Sequence, residues 1–180
     1  MIADSALAHV EGGAVSGGFL SGLAHPIGGL DHVVAMIAVG LWGAFLGAPA
    51  VWLLPVVFPL VMAFGGALAA AGVTLPAVEV GIALSAVVLG VMVAGAVRPP
   101  LWVAAVIVGA FAIFHGHAHG AELPAGQSAL AYSAGFVVAT GALHLAGIAL
   151  SLLTHVKGGA WIVRAGGAAI SLAGVMFLAR

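Results

Sequence analysis

The sequence predicts an all-α bundle of membrane-spanning helices. Of its 180 residues, 64% are hydrophobic and only 5% are charged, whereas soluble domains carry about 25% charged residues. Six long apolar segments follow one another, and each reaches or nearly reaches the ~20 residues that a helix needs to cross a bilayer. We therefore expect a single integral membrane domain over residues 1–180 with six transmembrane helices, surrounded by lipid.

The chain begins with its most polar stretch, residues 1–11. Within it, Ala6-Leu7-Ala8 before His9 resembles the cleavage end of a secretory signal, but no apolar region precedes these residues. The stretch is interpreted either as an ordinary polar terminus or as a truncated signal whose cleavage would leave His9 at the mature N-terminus.

A short helix is predicted next, over residues 12–25. This segment is apolar but too short to span a bilayer, so we expect a re-entrant or interfacial helix that ends near His25. A residue that precedes proline, as His25 precedes Pro26, is biased away from helical geometry. Gly28 and Gly29 then permit a sharp turn.

The six-helix bundle itself is predicted over residues 31–178. Its apolar segments cover residues 31–48, 51–72, 76–97, 100–121, 128–153 and 160–178, with proline or glycine at the junctions. The connections are short, so neighbouring helices should be antiparallel. Pro55 and Pro59 lie inside the second segment, where proline kinks a helix.

Basic residues indicate which end of the bundle faces the cytoplasm. Arg98 lies between the third and fourth segments, Lys157 lies between the fifth and sixth, and Arg164 lies one turn into the sixth. Cytoplasmic loops are enriched in Lys and Arg, so this end is predicted to be cytoplasmic. The protein would then be a multi-pass protein of the bacterial inner membrane, with its other end facing the periplasm.

Ionisable side chains from several helices gather at that other end. They are His25, Asp31 and His32 around the start of the first long helix, Glu79 in the third, and His115, His117, His119 and Glu122 at the end of the fourth. Ionisable groups at a membrane edge are costly, so a functional role is the default interpretation. At about 100° per residue, His115, His119 and Glu122 share one helix face, whereas His117 points away.

These residue types predict a site for a divalent transition metal. We expect the ligands to be His25, Asp31, His32, His115, His119 and Glu122, with His117, Glu79, His144 and His9 as secondary candidates. Without cysteine, Cu(I) and a thiolate zinc site are disfavoured, and the many nitrogen donors disfavour Mg²⁺ and Ca²⁺. Ni²⁺, Co²⁺ and Zn²⁺ remain, and the spacing of the residues does not choose among them.

His144 is predicted to lie deeper in the bundle than the other candidates. It comes about 16 residues into a helix that starts at the periplasmic end, or about 24 Å along the helix axis. It is either a second stop for an ion on its way inward or a polar contact between helices. Thr140, one turn earlier, would add an oxygen atom.

Two motifs carry a resemblance to a known family. The pattern HPxxGxDHxxAMxxVGLW at residues 25–42 and the string FHGHAHGAE at residues 114–122 resemble the signatures of the HupE/UreJ family of nickel and cobalt permeases. The resemblance implies a permease that takes up Ni²⁺ as its substrate, with Co²⁺ as a second candidate, and no prosthetic group. It also implies, through the family alone, that maturation proteins for a nickel enzyme (hydrogenase or urease) act downstream.

Other classes of function receive less support. The net charge of −1 gives no electrostatic case for binding nucleic acid. A Co²⁺ or Zn²⁺ permease is the first alternative, and an intramembrane metalloenzyme is the second. The sequence lacks H-E-x-x-H and G-x-S-x-G motifs, so we expect a transporter and not an enzyme. GxxxG motifs, such as Gly116–Gly120, favour close helix packing and would also allow a homo-oligomer.

Overall fold

The helices of this chain follow the apolar segments of its sequence closely. The computed structural model describes residues 17–121, 126 and 128–179, and all regular structure in this part of the chain is helical. The helices are α1 (Gly17–Gly28), α2 (Leu30–Leu46), α3 (Ala50–Ala70), α4 (Val78–Ala94), α5 (Leu101–Ala121), α6 (Ala129–Ser151) and α7 (Gly159–Leu178), with a 3-10 turn at Leu152–His155. The predicted all-α helical membrane bundle is confirmed.

Length and hydropathy show which of the described helices can cross a bilayer. Helices α3, α5, α6 and α7 are long and apolar enough to do so singly. Helices α1 and α2 meet at a bend of 82° and satisfy the same requirement only as a pair. Helix α4 is apolar but has 17 residues. The six predicted long helices are thus present as α2–α7, with four candidate spans, or five if the bent pair forms one.

The short helix was predicted to end near His25, before Pro26, and this was wrong. Helix α1 continues through His25 and Pro26 to Gly28, and the break falls at Gly29, where the backbone is extended with φ −102° and ψ 112°. Packing explains the difference, because Gly22 of α1 lies against the backbone of Tyr132 in α6. Tertiary contacts of this kind outweigh a local backbone bias in deciding where a helix ends.

Helices that are distant in sequence form the most extensive contacts. Helix α3 packs on α5, α4 packs on α7, and α2 packs on α6. Glycine allows these backbones to approach closely: Gly116 of α5 lies against the carbonyl of Met62 in α3, and Gly40 of α2 lies against the carbonyl of His144 in α6. A Cβ atom at either glycine would overlap the facing backbone, so these positions fix the separation of the helices.

Contacts at the basic end align α2 and α4. The Nε–H of Arg164 donates a hydrogen bond of 2.7 Å to the carbonyl of Ala94, the last residue of α4. The guanidinium of Arg98, which follows α4, lies 4.7 Å from the centre of the Phe45 ring near the end of α2. Both helices therefore end at the basic face of the bundle, and their first turns lie at the opposite face.

Candidate metal site

Three imidazoles converge where α2 begins and α5 ends. His32 lies in the first turn of α2, and His115 and His119 lie one turn apart on α5. One nitrogen of each ring can be chosen so that all three lie within 4.8 Å of one another. The ring centres of His32 and His115 are 4.8 Å apart, and those of His32 and His119 are 4.6 Å apart. We call these three residues the histidine triad.

Asp31 fixes the tautomer of His32. Its Oδ1 atom lies 2.9 Å from Nδ1 of His32, and an ionised carboxylate can only accept a hydrogen bond. Nδ1 therefore carries the proton, and the lone pair is on Nε2. That atom is buried and has no hydrogen-bond partner in the described structure. A carboxylate behind a histidine is how many metal sites orient the ring and raise its basicity.

Ser85 of α4 fixes the tautomer of His115 in a similar way. The hydroxyl of Ser85 donates its single proton to the carbonyl of Ile82 at 2.6 Å. Its oxygen therefore accepts the hydrogen bond from Nε2–H of His115 at 2.9 Å. The lone pair of His115 is then on Nδ1, which is buried and lacks a hydrogen-bond partner among the described residues.

Ser85 was missed in the sequence analysis. A serine in an apolar helix is commonly a small packing residue, and nothing in its spacing connects it with a histidine 30 positions later. One feature of the sequence could have pointed to Ser85: it and Glu79 are the only residues of α4 with polar side chains.

His119 completes the triad from a largely apolar setting. Its ring centre lies 4.2 Å from that of Phe136 and 4.7 Å from that of His25. Both of its ring nitrogens are buried without hydrogen-bond partners in the described chain. Three nitrogens that bind one ion at about 2.1 Å lie about 3.0–3.6 Å from one another. Side-chain rotations that shorten the nitrogen–nitrogen distances by more than about 1 Å would therefore close the triad around an ion.

An open pocket leads from the surface to His32 of the triad. Its volume is about 530 Å³, and its lining includes His25, Asp31, His32 and Glu79. Two carboxylates in one concave pocket attract cations and raise their local concentration. His25 and Glu79 thus lie beside the triad, at its entrance, in the end of the bundle opposite Arg98.

Two further predicted ligands, His117 and His144, lie apart from the triad. The Nε2–H of His117 donates a hydrogen bond of 2.8 Å to the carbonyl of Val73, outside the site, as its predicted helix face requires. His144 is buried deeper, with its ring centre 5.4 Å from that of Phe58. The predicted ligands Glu122 and His9 lie outside the described residues.

Comparison with known proteins identifies the family. The family model for the HupE / UreJ protein matches residues 1–177. Protein HupE of Rhizobium leguminosarum bv. viciae is 48% identical over 172 residues, which cover 96% of this chain and 90% of that protein. No solved structure matches the chain. The resemblance carried by the two motifs is confirmed: this chain belongs to the HupE/UreJ family of membrane metal-transport proteins.

Proposed function

We propose that this protein takes up Ni²⁺ across the bacterial inner membrane, and that the histidine triad is the first site the ion occupies. The observation that carries this proposal is that His32, His115 and His119 bring one nitrogen each within 4.8 Å of one another, and that each ring has a buried nitrogen without a hydrogen-bond partner among the described residues. A buried polar atom without a partner costs about 1–3 kcal/mol. An ion that binds all three nitrogens would offset these costs together.

The donor atoms suit a borderline transition metal. Imidazole nitrogen binds Ni²⁺, Co²⁺ and Zn²⁺, whereas Mg²⁺ and Ca²⁺ prefer oxygen. Three imidazoles leave coordination positions open, which water or the carboxylate of Glu79 would fill from the pocket. Among the three metals, the preference for Ni²⁺ with Co²⁺ second rests on membership in a nickel and cobalt transport family.

The orientation of the protein in the membrane is inferred from the charges at the two ends of the bundle. Arg98 and Arg164 lie at the end of α4, whereas the triad and its open pocket lie at the end where α4 begins. Under the positive-inside rule the basic end is cytoplasmic. The pocket would then open to the periplasm, so the ion enters at the triad and leaves towards Arg98.

Uptake by the purified protein tests this function and its metal preference. The full chain is reconstituted into liposomes, and the entry of radiolabelled Ni²⁺ is followed with and without excess unlabelled Ni²⁺, Co²⁺, Zn²⁺ or Mg²⁺. We expect saturable uptake that Co²⁺ inhibits and Mg²⁺ does not. Entry no faster than into protein-free liposomes would contradict the proposal, and stronger inhibition by Zn²⁺ than by unlabelled Ni²⁺ would make the protein a zinc permease.

A further inference from the structure

A second group of buried polar atoms lies below the triad, on α6. The side chain of His144 is 1% exposed, and both of its ring nitrogens lack hydrogen-bond partners in the described structure. Thr140, one turn earlier on the same helix face, is fully buried, and its hydroxyl also lacks a partner there. The hydroxyl of a threonine in a helix commonly donates a hydrogen bond to a carbonyl one turn earlier. The Thr140 hydroxyl makes no such bond.

Helix α3 presents a backbone oxygen to this group. Pro59 has no N–H, so the carbonyl of Pro55, four residues earlier, lacks its usual helical donor. This carbonyl lies near the His144 ring, although neither ring nitrogen makes a hydrogen bond of normal geometry with it. In transporters with broken helices, carbonyl oxygens released in this way coordinate cations.

The position of His144 places the group on the inward side of the triad. Its backbone carbonyl lies against Gly40, which comes eight residues after His32 on α2, or about 12 Å along the helix axis. Phe58 is the shared neighbour of both groups, since its ring centre is 5.4 Å from that of His115 and 5.4 Å from that of His144. One buried aromatic ring therefore contacts both groups.

We propose that His144, Thr140 and the carbonyl of Pro55 form a second, inner site for the transported divalent cation. This proposal rests on the proposed function and adds a step to it, in which the ion passes Phe58 from the triad to the inner site. One imidazole and two neutral oxygens bind a transition metal more weakly than three imidazoles. A weaker inner site suits transport, because an ion must also be able to leave.

Substitution of His144 by glutamine tests the inner site. Glutamine keeps much of the volume and the hydrogen-bonding capacity of histidine but is a poor ligand for Ni²⁺. Binding of radiolabelled Ni²⁺ to the full-length protein in detergent and its uptake into liposomes are measured in parallel. For H144Q we expect the affinity of the triad for Ni²⁺ to be retained, because His144 supplies no ligand to the triad. The initial uptake rate should fall about ten-fold or more.

Thr140→Val provides a second variant that preserves side-chain shape. It should slow uptake several-fold and leave binding at the triad unchanged. Thr154→Val is its control, because the Thr154 hydroxyl donates to the carbonyl of Ser151 at 2.7 Å, away from both sites, and it should transport as the wild-type protein does. If H144Q failed to fold, as judged by size-exclusion chromatography, the two threonine variants would decide the question.

Three results are to be distinguished. Wild-type uptake by both H144Q and Thr140→Val would overturn the inner site and make His144 a packing residue. Equal losses of binding and uptake in H144Q would also overturn it, because His144 would then belong to the first site. If the wild-type protein itself took up no Ni²⁺, the proposed function would fail and the inner site would fall with it.

Discussion

The hydroxyl oxygen of Ser85 lies 2.9 Å from Nε2 of His115 and accepts its hydrogen bond. Through this contact a residue of α4 decides which nitrogen of a histidine on α5 is available to an ion. Asp31 has the same relationship with His32 within α2. Two rings of the triad are thus held in defined tautomers before any ion arrives, which lowers the reorganisation that binding requires.

Replacing Ser85 by alanine should weaken Ni²⁺ binding. Without the hydroxyl, Nε2–H of His115 loses its acceptor, and the ring is free to rotate or change tautomer. Loss of a partner behind a metal-binding histidine commonly costs about 10–100-fold in affinity, and we expect a loss in that range. Equilibrium binding of radiolabelled Ni²⁺ to the purified variant measures it.

Ser151→Ala is the matched control for Ser85→Ala. Ser151 also donates to a carbonyl three residues earlier, that of Ile148 at 2.5 Å, but it lies at the other end of the bundle. Its loss should leave Ni²⁺ affinity unchanged. Similar losses in both variants would mean that serine acts on helix stability and not on His115.

Two substitutions of Asp31 distinguish the effect of its charge from the effect of its hydrogen bond to His32. Asparagine can still accept the hydrogen bond from Nδ1–H of His32, whereas alanine cannot. We expect Asp31→Ala to lower Ni²⁺ affinity by about 10–100-fold and Asp31→Asn to have a smaller effect, measured by the same binding assay. Full affinity in Asp31→Ala would show that the orientation of His32 does not depend on Asp31.

Gly116→Ala should destabilise the bundle where α3 meets α5. A Cβ atom there would overlap the carbonyl of Met62, and relieving such overpacking typically costs about 1–3 kcal/mol. The adjacent His115 should move with the helix, so we expect both a lower unfolding temperature in detergent and weaker Ni²⁺ binding.

Gly109→Ala, on the same helix, is the control for Gly116→Ala. A Cβ atom at Gly109 would meet only the side chains of Val61 and Val57, at 3.8 and 4.0 Å. We expect unchanged Ni²⁺ affinity and an unfolding temperature at or above that of the wild-type protein, because alanine favours a helix over glycine. Equal destabilisation by both substitutions would contradict the close approach of α5 to α3.

The order and limits of the long helices could be predicted from the sequence alone. No end of α2–α7 differs from its predicted segment by more than three residues, because proline and glycine punctuate a chain that is otherwise uniformly apolar. Periodicity also placed His115 and His119 on one helix face and His117 on another. These are local properties that depend only on residues within a few turns.

Which individual side chains and backbones pair across the helices could not be predicted. The continuation of α1 through Pro26 depends on its packing against α6, and the partnership of Ser85 with His115 depends on how α4 lies against α5. The sequence of a uniformly apolar helix gives little indication of which other helices it packs against. The proposed ligand roles of Glu122 and His9 remain predictions, since both lie outside the described residues.

A pair of variants two residues apart on α5 tests the central claim most directly. His119 belongs to the triad, whereas His117 bonds to the carbonyl of Val73 outside it. In liposomes that contain only this protein, His119→Ala should reduce radiolabelled Ni²⁺ uptake to the level of protein-free liposomes. His117→Ala should transport normally while losing about 0.5–1.5 kcal/mol of stability with its hydrogen bond. Wild-type uptake by a folded His119→Ala variant would contradict transport through the triad.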